Sequence, residues 1–237
     1  MAITPPTPDH AAIEVLDECD STNARLLDRA KAGAPSGTVI VAGCQTAGRG
    51  RRGRLWFSAP GDSLTFSLLW RLSGSPAGLP LAVGVALSET FGGALLKWPN
   101  DLLLDGRKLG GVLVELSGNA AVIGIGINLR LPDGLPDDIR ATAAALGGDA
   151  SRDDLLTRLL VALYAALAEF GEGGFARLRA RWLARCAHLG AMVRILSDAG
   201  PPLDGRCVGV DDDGALLLET ADGVRRILSG DVSLRLA

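Results

Sequence analysis

Eight consecutive residues, Ala47-Gly48-Arg49-Gly50-Arg51-Arg52-Gly53-Arg54, set four arginines among three glycines, and no acidic residue occurs between Asp28 and Asp62. A guanidinium is planar, permanently charged and matched to phosphate oxygens. Glycine lets the backbone take positive φ and come close to a ligand. The two together describe a loop that closes over an anion. By itself the run also reads as a solvated basic loop, so its meaning depends on what surrounds it.

A second stretch, residues 96–115, carries further chemistry. Lysine is scarce in this chain, and of Lys31, Lys97 and Lys108 the last two bracket one short motif. Asp105-Gly106 is a two-residue hairpin turn. It is flanked by residues 102–104 and 112–116 as strands, with Lys108 just past the turn. Gly110-Gly111 inside a strand marks a close backbone approach. Pro99 interrupts the first arm and favours an extended Trp98. Singly, Trp98 reads as core, Asn100 as a turn residue and Lys108 as a solvated hairpin lysine. Jointly, with paired glycines, they read as a site.

Three smaller features add to these. Asp20-Ser21-Thr22-Asn23 precedes a helical pattern, and such residues are preferred N-caps. They either cap the helix alone or also meet a polar ligand group. Gln45 stands at a strand exit, just before the arginine loop. In Gly124-Ile125-Gly126-Ile127-Asn128 the alternating glycines suit a pocket floor, and Asn128 is either a strand-end cap or a ligand contact.

The elements that must position these groups follow from periodicity. Residues 12–17, 38–42 and 63–70 predict strands, the last alternating Leu64, Phe66, Leu68 and Trp70. Residues 81–95 predict an apolar helix, broken late by Gly92-Gly93. Residues 153–170 have helical periodicity, with Ser151 as cap. Residues 175–186 predict a second amphipathic helix with Arg177, Arg179, Arg181 and Arg185 on one face. Beyond Leu189, five short strands separated by Gly- and Asp-rich turns have the spacing of a small β-barrel or sandwich. A boundary near Gly190 divides the chain into residues 1–189 and 190–237. Residues 1–10 read as a loose leader.

Composition narrows the function classes. The chain is 48% hydrophobic with a net charge of −3, which is globular and disfavours a nucleic-acid partner for the whole surface. Cys19, Cys44, Cys186 and Cys207 form no metal-ligand spacing, and reduced thiols in a cytoplasmic protein are expected. With only His10 and His188, a histidine triad or histidine-rich metal site is not expected. No secretory signal or membrane-spanning stretch is read.

Assembled, these residues resemble the biotin protein ligases, also called biotin–[acetyl-CoA-carboxylase] ligases. The likeness rests on Ser21-Thr22-Asn23, residues 45–54 with Trp56 and Phe57, and Lys97-Trp98-Pro99-Asn100-Asp101. Arg107-Lys108-Leu109-Gly110-Gly111 and residues 124–128 complete it. The resemblance implies an α+β fold: a central mixed sheet flanked by helices, class II synthetase-like, with a small C-terminal SH3-like β-barrel. It implies ATP and biotin as substrates, with Mg²⁺ as the ATP counterion and no resident metal site. Biotin becomes biotinyl-5′-AMP, and the biotinyl group then passes to a lysine of a biotin carboxyl carrier protein.

Carried over by position, Ser21, Thr22, Asn23, Gln45, Arg49, Gly50, Arg51, Lys108, Gly110 and Gly111 would surround biotin. Arg49, Arg51, Arg54, Trp56, Asn100, Lys108 and Asn128 would hold ATP and the adenylate. Lys108, Arg51 and Asp101 would be catalytic, Asp101 by positioning the incoming lysine or Mg²⁺. Uniting a carboxylate with a phosphate demands cations that offset their repulsion, which Lys108 and the loop arginines supply. The resemblance allows a homodimer joined at a sheet edge. Motifs beginning near residue 20 leave no room for the winged helix-turn-helix of some relatives, so direct DNA binding is not expected.

Rival functions are a lipoate or octanoate ligase on a similar fold, a nucleic-acid-binding module, and an enzyme-shaped protein without activity. The first needs a pocket for a long aliphatic chain and different loop motifs. The second conflicts with the net charge, and the third with an intact Lys108 and arginine loop.

Overall fold

The computed structural model describes residues 12–148, 151–197, 200–228 and 232–236. The expected leader and the turn at residues 229–231 lie outside them. The chain runs β1 (Ile13–Cys19), α1 (Thr22–Lys31), β2 (Val39–Gln45), a 3₁₀ turn (Arg51–Gly53), β3 (Ser63–Arg71), α2 (Leu79–Thr90), β4 (Leu95–Lys97) and β5 (Asp101–Leu104). It continues with β6 (Arg107–Ser117), β7 (Ala120–Asn128), α3 (Asp137–Thr142), α4 (Arg152–Gly173), a 3₁₀ turn (Phe175–Arg177) and α5 (Arg179–Leu183). Five strands follow: β8 (Met192–Ser197), β9 (Gly200–Val210), β10 (Leu216–Thr220), β11 (Gly223–Ile227) and β12 (Val232–Leu236).

Strands β1 to β7 form one mixed sheet in the order β1-β2-β3-β7-β6-β5-β4, in which only β1 and β2 are parallel. Side chains alternate across a strand. Leu64, Phe66 and Leu68 of β3, with Ala121, Ile123, Ile125 and Ile127 of β7, therefore enter one core beneath α2 and α4. Helix α4 reaches that core with Leu155, Leu159, Leu160, Leu163 and Leu167, a 3.6-residue stripe. Leu69 and Val122 turn to the opposite face and pack with Leu26 and Ala30 of α1. The far end of that face, uncovered by α1, is where the polar residues gather.

Strands β8 to β12 form an antiparallel five-stranded sheet in the order β11-β10-β9-β8-β12. Its Val193, Ile195, Val210, Leu216 and Leu218 join the same core as α2 and α4. The β9–β10 turn docks on the start of α2: a Cβ on Gly214 would sit 2.8 Å from the Gly78 Cα. The indole Nε1 of Trp98 donates to the Gly214 carbonyl at 3.0 Å, tying this turn to the end of β4. The strands after Gly190 form this second sheet, and the two sheets share one interior.

Two local expectations differ. The apolar helix ends at Thr90, because Gly93 turns the chain at φ 85 and residues 95–97 leave as β4. The helix over residues 175–186 is instead the 3₁₀ turn and the five-residue α5. Phe175 and Trp182 plug the core, and the arginines diverge: Arg179 donates to the Val210 carbonyl, whereas Arg181 pairs with Glu89 and Glu169. Trp98 lies in a turn whose Trp98–Pro99 peptide is cis and which leads β4 back into β5. No helix among the described residues is long and apolar enough to cross a membrane. Cys19, Cys44, Cys186 and Cys207 are all free thiols.

Candidate functional site

The site begins as a gap in the sheet's side chains. Gly124 and Gly126 of β7 face away from the main core, and Gly111 of β6 pairs with Gly126 on the same face. A Cβ on Gly124 would run into the Asn23 amide, and one on Gly126 into the Trp56 indole. These glycines form the floor of a cavity of about 170 Å³. Thr65 and Leu113, not singled out from sequence, also line it.

The wall beside α1 is polar and tightly bonded. Ser21 caps the helix, its Oγ accepting from the Ala24 amide at 3.4 Å. Thr22 donates its backbone N–H to Gln45 Oε1 at 2.7 Å, and its Oγ1 lies 3.1 Å from the same oxygen. Asn23 Nδ2 donates to Glu115 Oε2 at 2.8 Å and to the Leu113 carbonyl at 3.4 Å. Ser67 Oγ, fully buried, lies 2.6 Å from Asn23 Oδ1 and 2.7 Å from Thr22 Oγ1. Sequence reasoning missed Ser67 and Glu115. Their signals were slight: Ser67 continues the polar face of Ser63 and Thr65 on β3, and Glu115 is a charge between Val114 and Leu116 on β6.

Opposite lies the arginine loop, folded as a narrow hairpin. The Gly50 amide donates to the Arg54 carbonyl at 2.7 Å, and the Trp56 amide to the Gly48 carbonyl at 2.9 Å. Arg52 takes φ 59 at its tip. Arg49, Gly50, Arg51, Arg52, Arg54, Leu55 and Trp56 all line the cavity. The loop thus delivers four guanidinium-bearing residues and an aromatic ring to one space. The Trp56 indole N–H is buried and has no acceptor among the described residues.

The third wall comes from the β4–β5–β6 segment. Lys108 Nζ stands 2.6 Å from Asp101 Oδ1. Asn100 is braced to β6: its Nδ2 donates to the Val112 carbonyl, and the Val112 amide donates to the Asn100 carbonyl, both at 2.9 Å. Lys97, Trp98 and Pro99 also reach the cavity. Behind them His188 is buried, with both ring nitrogens lacking partners among the described residues. Burial first, and the Lys97 charge second, hold its pKa down to about 4.

The fold therefore brings together Ser21, Thr22, Asn23, Gln45, Arg49, Gly50, Arg51, Arg54, Trp56, Asn100, Asp101, Lys108 and Gly111. Two expected residues are not among those lining the cavity. Gly110 faces the core, where a Cβ would lie 2.6 Å from the Gly126 carbonyl oxygen and 2.7 Å from Ile127 Cδ1, so its smallness serves strand packing. Asn128 spends its amide on the Ala144 carbonyl at 2.9 Å and the Lys108 carbonyl at 3.3 Å. It is a strand-end tie that supports the lysine from behind. Among the described residues no three His, Cys, Asp or Glu side chains gather as a metal site.

Comparison with known proteins agrees with this geometry. Residues 15–131 match the family model described as biotin/lipoate A/B protein ligase, and residues 188–235 match the biotin protein ligase C-terminal domain. A cationic loop over a glycine-floored mixed sheet thus defines a protein of the biotin/lipoate ligase class. The bifunctional ligase/repressor BirA of Escherichia coli is 38% identical, across 97% of this chain and 76% of that protein. The biotin–[acetyl-CoA-carboxylase] ligase of Mycobacterium tuberculosis is 32% identical, across 93% and 88%. The Aquifex aeolicus biotin protein ligase, solved in complex with biotin and ATP, superposes with a TM-score of 0.84 at 34% identity, over 95% of this chain and 99% of that one. The chain belongs to the biotin protein ligase family.

Proposed function

We propose that this chain is an ATP-dependent biotin–[acetyl-CoA-carboxylase] ligase. It joins biotin to a lysine of the carboxyl carrier protein of a carboxylase. The observation that carries this reading is the convergence of Lys108 and the residue 49–54 arginines over one glycine floor. Two anions must meet in the first step, and these cations lower the cost of that meeting.

The biotin carboxylate attacks the α-phosphorus of ATP, and pyrophosphate leaves. Mg²⁺ enters on the nucleotide, held mainly by its phosphates. The wall of Ser21, Thr22, Asn23 and Gln45 binds the biotin ring, and Gly111 lets it lie against the backbone. Lys108 stabilises charge on the reacting oxygens. Arg49, Arg51 and Arg54 grip the phosphates, and with Trp56 and Asn100 they enclose the adenylate and exclude water. In the second step the carrier lysine attacks the acyl carbon, an amide forms and AMP leaves. Asp101 receives and orients the incoming amine once Lys108 has turned to the phosphate. We read residues 1–189 as the unit that performs both steps and residues 190–237 as its C-terminal domain. The reaction belongs in the cytoplasm, where ATP and the carrier meet.

The test is pyrophosphate release with Mg²⁺–ATP and, in parallel, biotin, lipoate or octanoate. Release with biotin alone, reduced about 100- to 1,000-fold by Lys108→Ala, is the expected result. Release with lipoate or octanoate reassigns the substrate, and silence with all three overturns the ligase reading.

A further inference from the structure

Lys97 lines the cavity, and no step of the proposed reaction uses it. We propose that Lys97 is the cation that receives the leaving pyrophosphate, one strand beyond the residues that meet the reacting phosphate. The inference rests on the proposed adenylation and concerns where its leaving group goes.

The sheet register places this lysine. Thr65, Gly126, Gly111, Asp101 and Lys97 are successive partners across β3, β7, β6, β5 and β4, so they form one row. Cross-strand partners share a face. For this row it is the face away from the main core, because the adjoining Leu64, Ile125, Val112, Leu102 and Leu96 all turn into that core. All five residues of the row line the cavity. Neighbouring strands lie about 4.8 Å apart, which puts the Lys97 backbone about 10 Å from Gly111. Lys108 stands over the Gly111 end, its Nζ 3.4 Å from where a Gly111 Cβ would be, and Lys97 ends the row at the sheet edge.

The direction of the reaction follows from that row. In an in-line displacement the attacking and leaving oxygens stand on opposite sides of the phosphorus. The biotin carboxylate oxygen bonds to the α-phosphorus as the bond to the bridging oxygen breaks, and that electron pair leaves on pyrophosphate. The wall proposed to take biotin is bonded to β2 and β3 through Gln45 and Ser67. β4 is at the opposite edge of the sheet. With the α-phosphorus beside Lys108, the leaving group departs toward Lys97. Negative charge grows on it as the bond breaks, so a cation already in place stabilises the transition state more than bound ATP. His188, buried behind Lys97, offers no counter-charge, since burial first and the Lys97 charge second keep it neutral.

Lys97→Gln and Lys97→Arg test this, with thermal melting as a control for folding. KM for pyrophosphate is measured in the reverse reaction, in which biotinyl-5′-AMP and pyrophosphate give biotin and ATP. KM for biotin is measured in the forward direction. Transfer of preformed biotinyl-5′-AMP to the carrier, which involves no pyrophosphate, is measured in a single turnover. Lys97→Gln is expected to raise KM for pyrophosphate about tenfold or more and to slow the forward first step by a similar factor. It leaves KM for biotin and the transfer rate within about twofold. Lys97→Arg, which keeps the charge, returns KM for pyrophosphate to within about threefold. A KM for pyrophosphate unchanged in Lys97→Gln overturns the inference, as does an equal loss in the transfer step. Wild-type release of pyrophosphate with lipoate or octanoate in place of biotin reassigns the acid alone, and the variants are then read with that acid and its adenylate. Silence of the wild type with all three acids overturns the adenylation reading and this inference with it. Biotin dependence in the wild type together with an indifferent Lys97→Gln overturns this inference alone.

Discussion

Lys108 and Asp101 face each other across the β5–β6 ladder, with Nζ 2.6 Å from Oδ1. The pair is partly exposed to water, and such pairs contribute less than about 1 kcal/mol. In the proposed reaction a phosphate or carboxylate oxygen displaces this contact, the lysine then serving that anion and the freed carboxylate the incoming amine.

Replacing Asp101 with Asn removes the anion that competes with substrate for Lys108. KM for ATP is expected to fall about two- to fivefold, while transfer of preformed biotinyl-5′-AMP to the carrier slows at least about tenfold. Single-turnover measurement of each half-reaction separates the effects. An increase in KM for ATP would sink the competition.

The floor tolerates no Cβ. Gly126→Ala forces its methyl group into the Trp56 indole, and Gly124→Ala forces one into the Asn23 amide. Each is expected to lower stability by about 1–3 kcal/mol. Gly124→Ala should also weaken biotin binding about tenfold or more, by tilting Asn23 out of its bonds. Denaturant unfolding and calorimetry give the two numbers, and normal values for both would show that the floor is not rigid.

His188 makes stability fall on the acid side of neutrality. Its pKa is about 4 in the folded chain and 6.5 by reference, so the unfolded chain binds the extra proton first. The histidine therefore costs nothing above pH 6.5, and folding is progressively disfavoured as the pH drops from there toward 4. Between pH 7 and pH 5 the loss is about 2 kcal/mol. His188→Gln should flatten that part of the profile. An identical slope in the variant would mean that other groups carry it.

Trp98 couples the two sheets through its bond to the Gly214 carbonyl. Trp98→Phe keeps most of the packing but leaves a buried carbonyl without its donor, at a cost of about 1–3 kcal/mol. Hydrogen exchange of the residue 211–215 turn should quicken in the variant. Unchanged exchange there would assign the docking of that turn to Gly78 alone.

Much of this site was legible because it is local or periodic. Asp105-Gly106 specifies a hairpin wherever it falls between apolar runs. Gly124 and Gly126 share a face by the period of two, and Ser21 caps α1 through a bond three residues long. Ser67 and Glu115 were not legible, since each acts through partners 44 and 92 residues away in Asn23. Asn128 and Gly110 stand outside the cavity lining for a like reason: type and place in the chain do not say which side of a strand faces the cavity.

The amino-acid sequence by itself determined most of the strand–helix order, the cationic loop, the glycine floor and the place of Lys108 beside the cavity. Tertiary structure decided where that lysine points. Lys108 and Gly111 are three residues apart and would face opposite sides of a regular strand. The β5–β6 pairing shifts register between Leu102 and Leu103, which leaves Leu109 as an extra residue on β6. Leu109 and Gly110 both turn inward, and Lys108 emerges beside Gly111, its Nζ 3.4 Å from where a Gly111 Cβ would stand. A bulge depends on the pairing of two strands, so no property of β6 alone could reveal it.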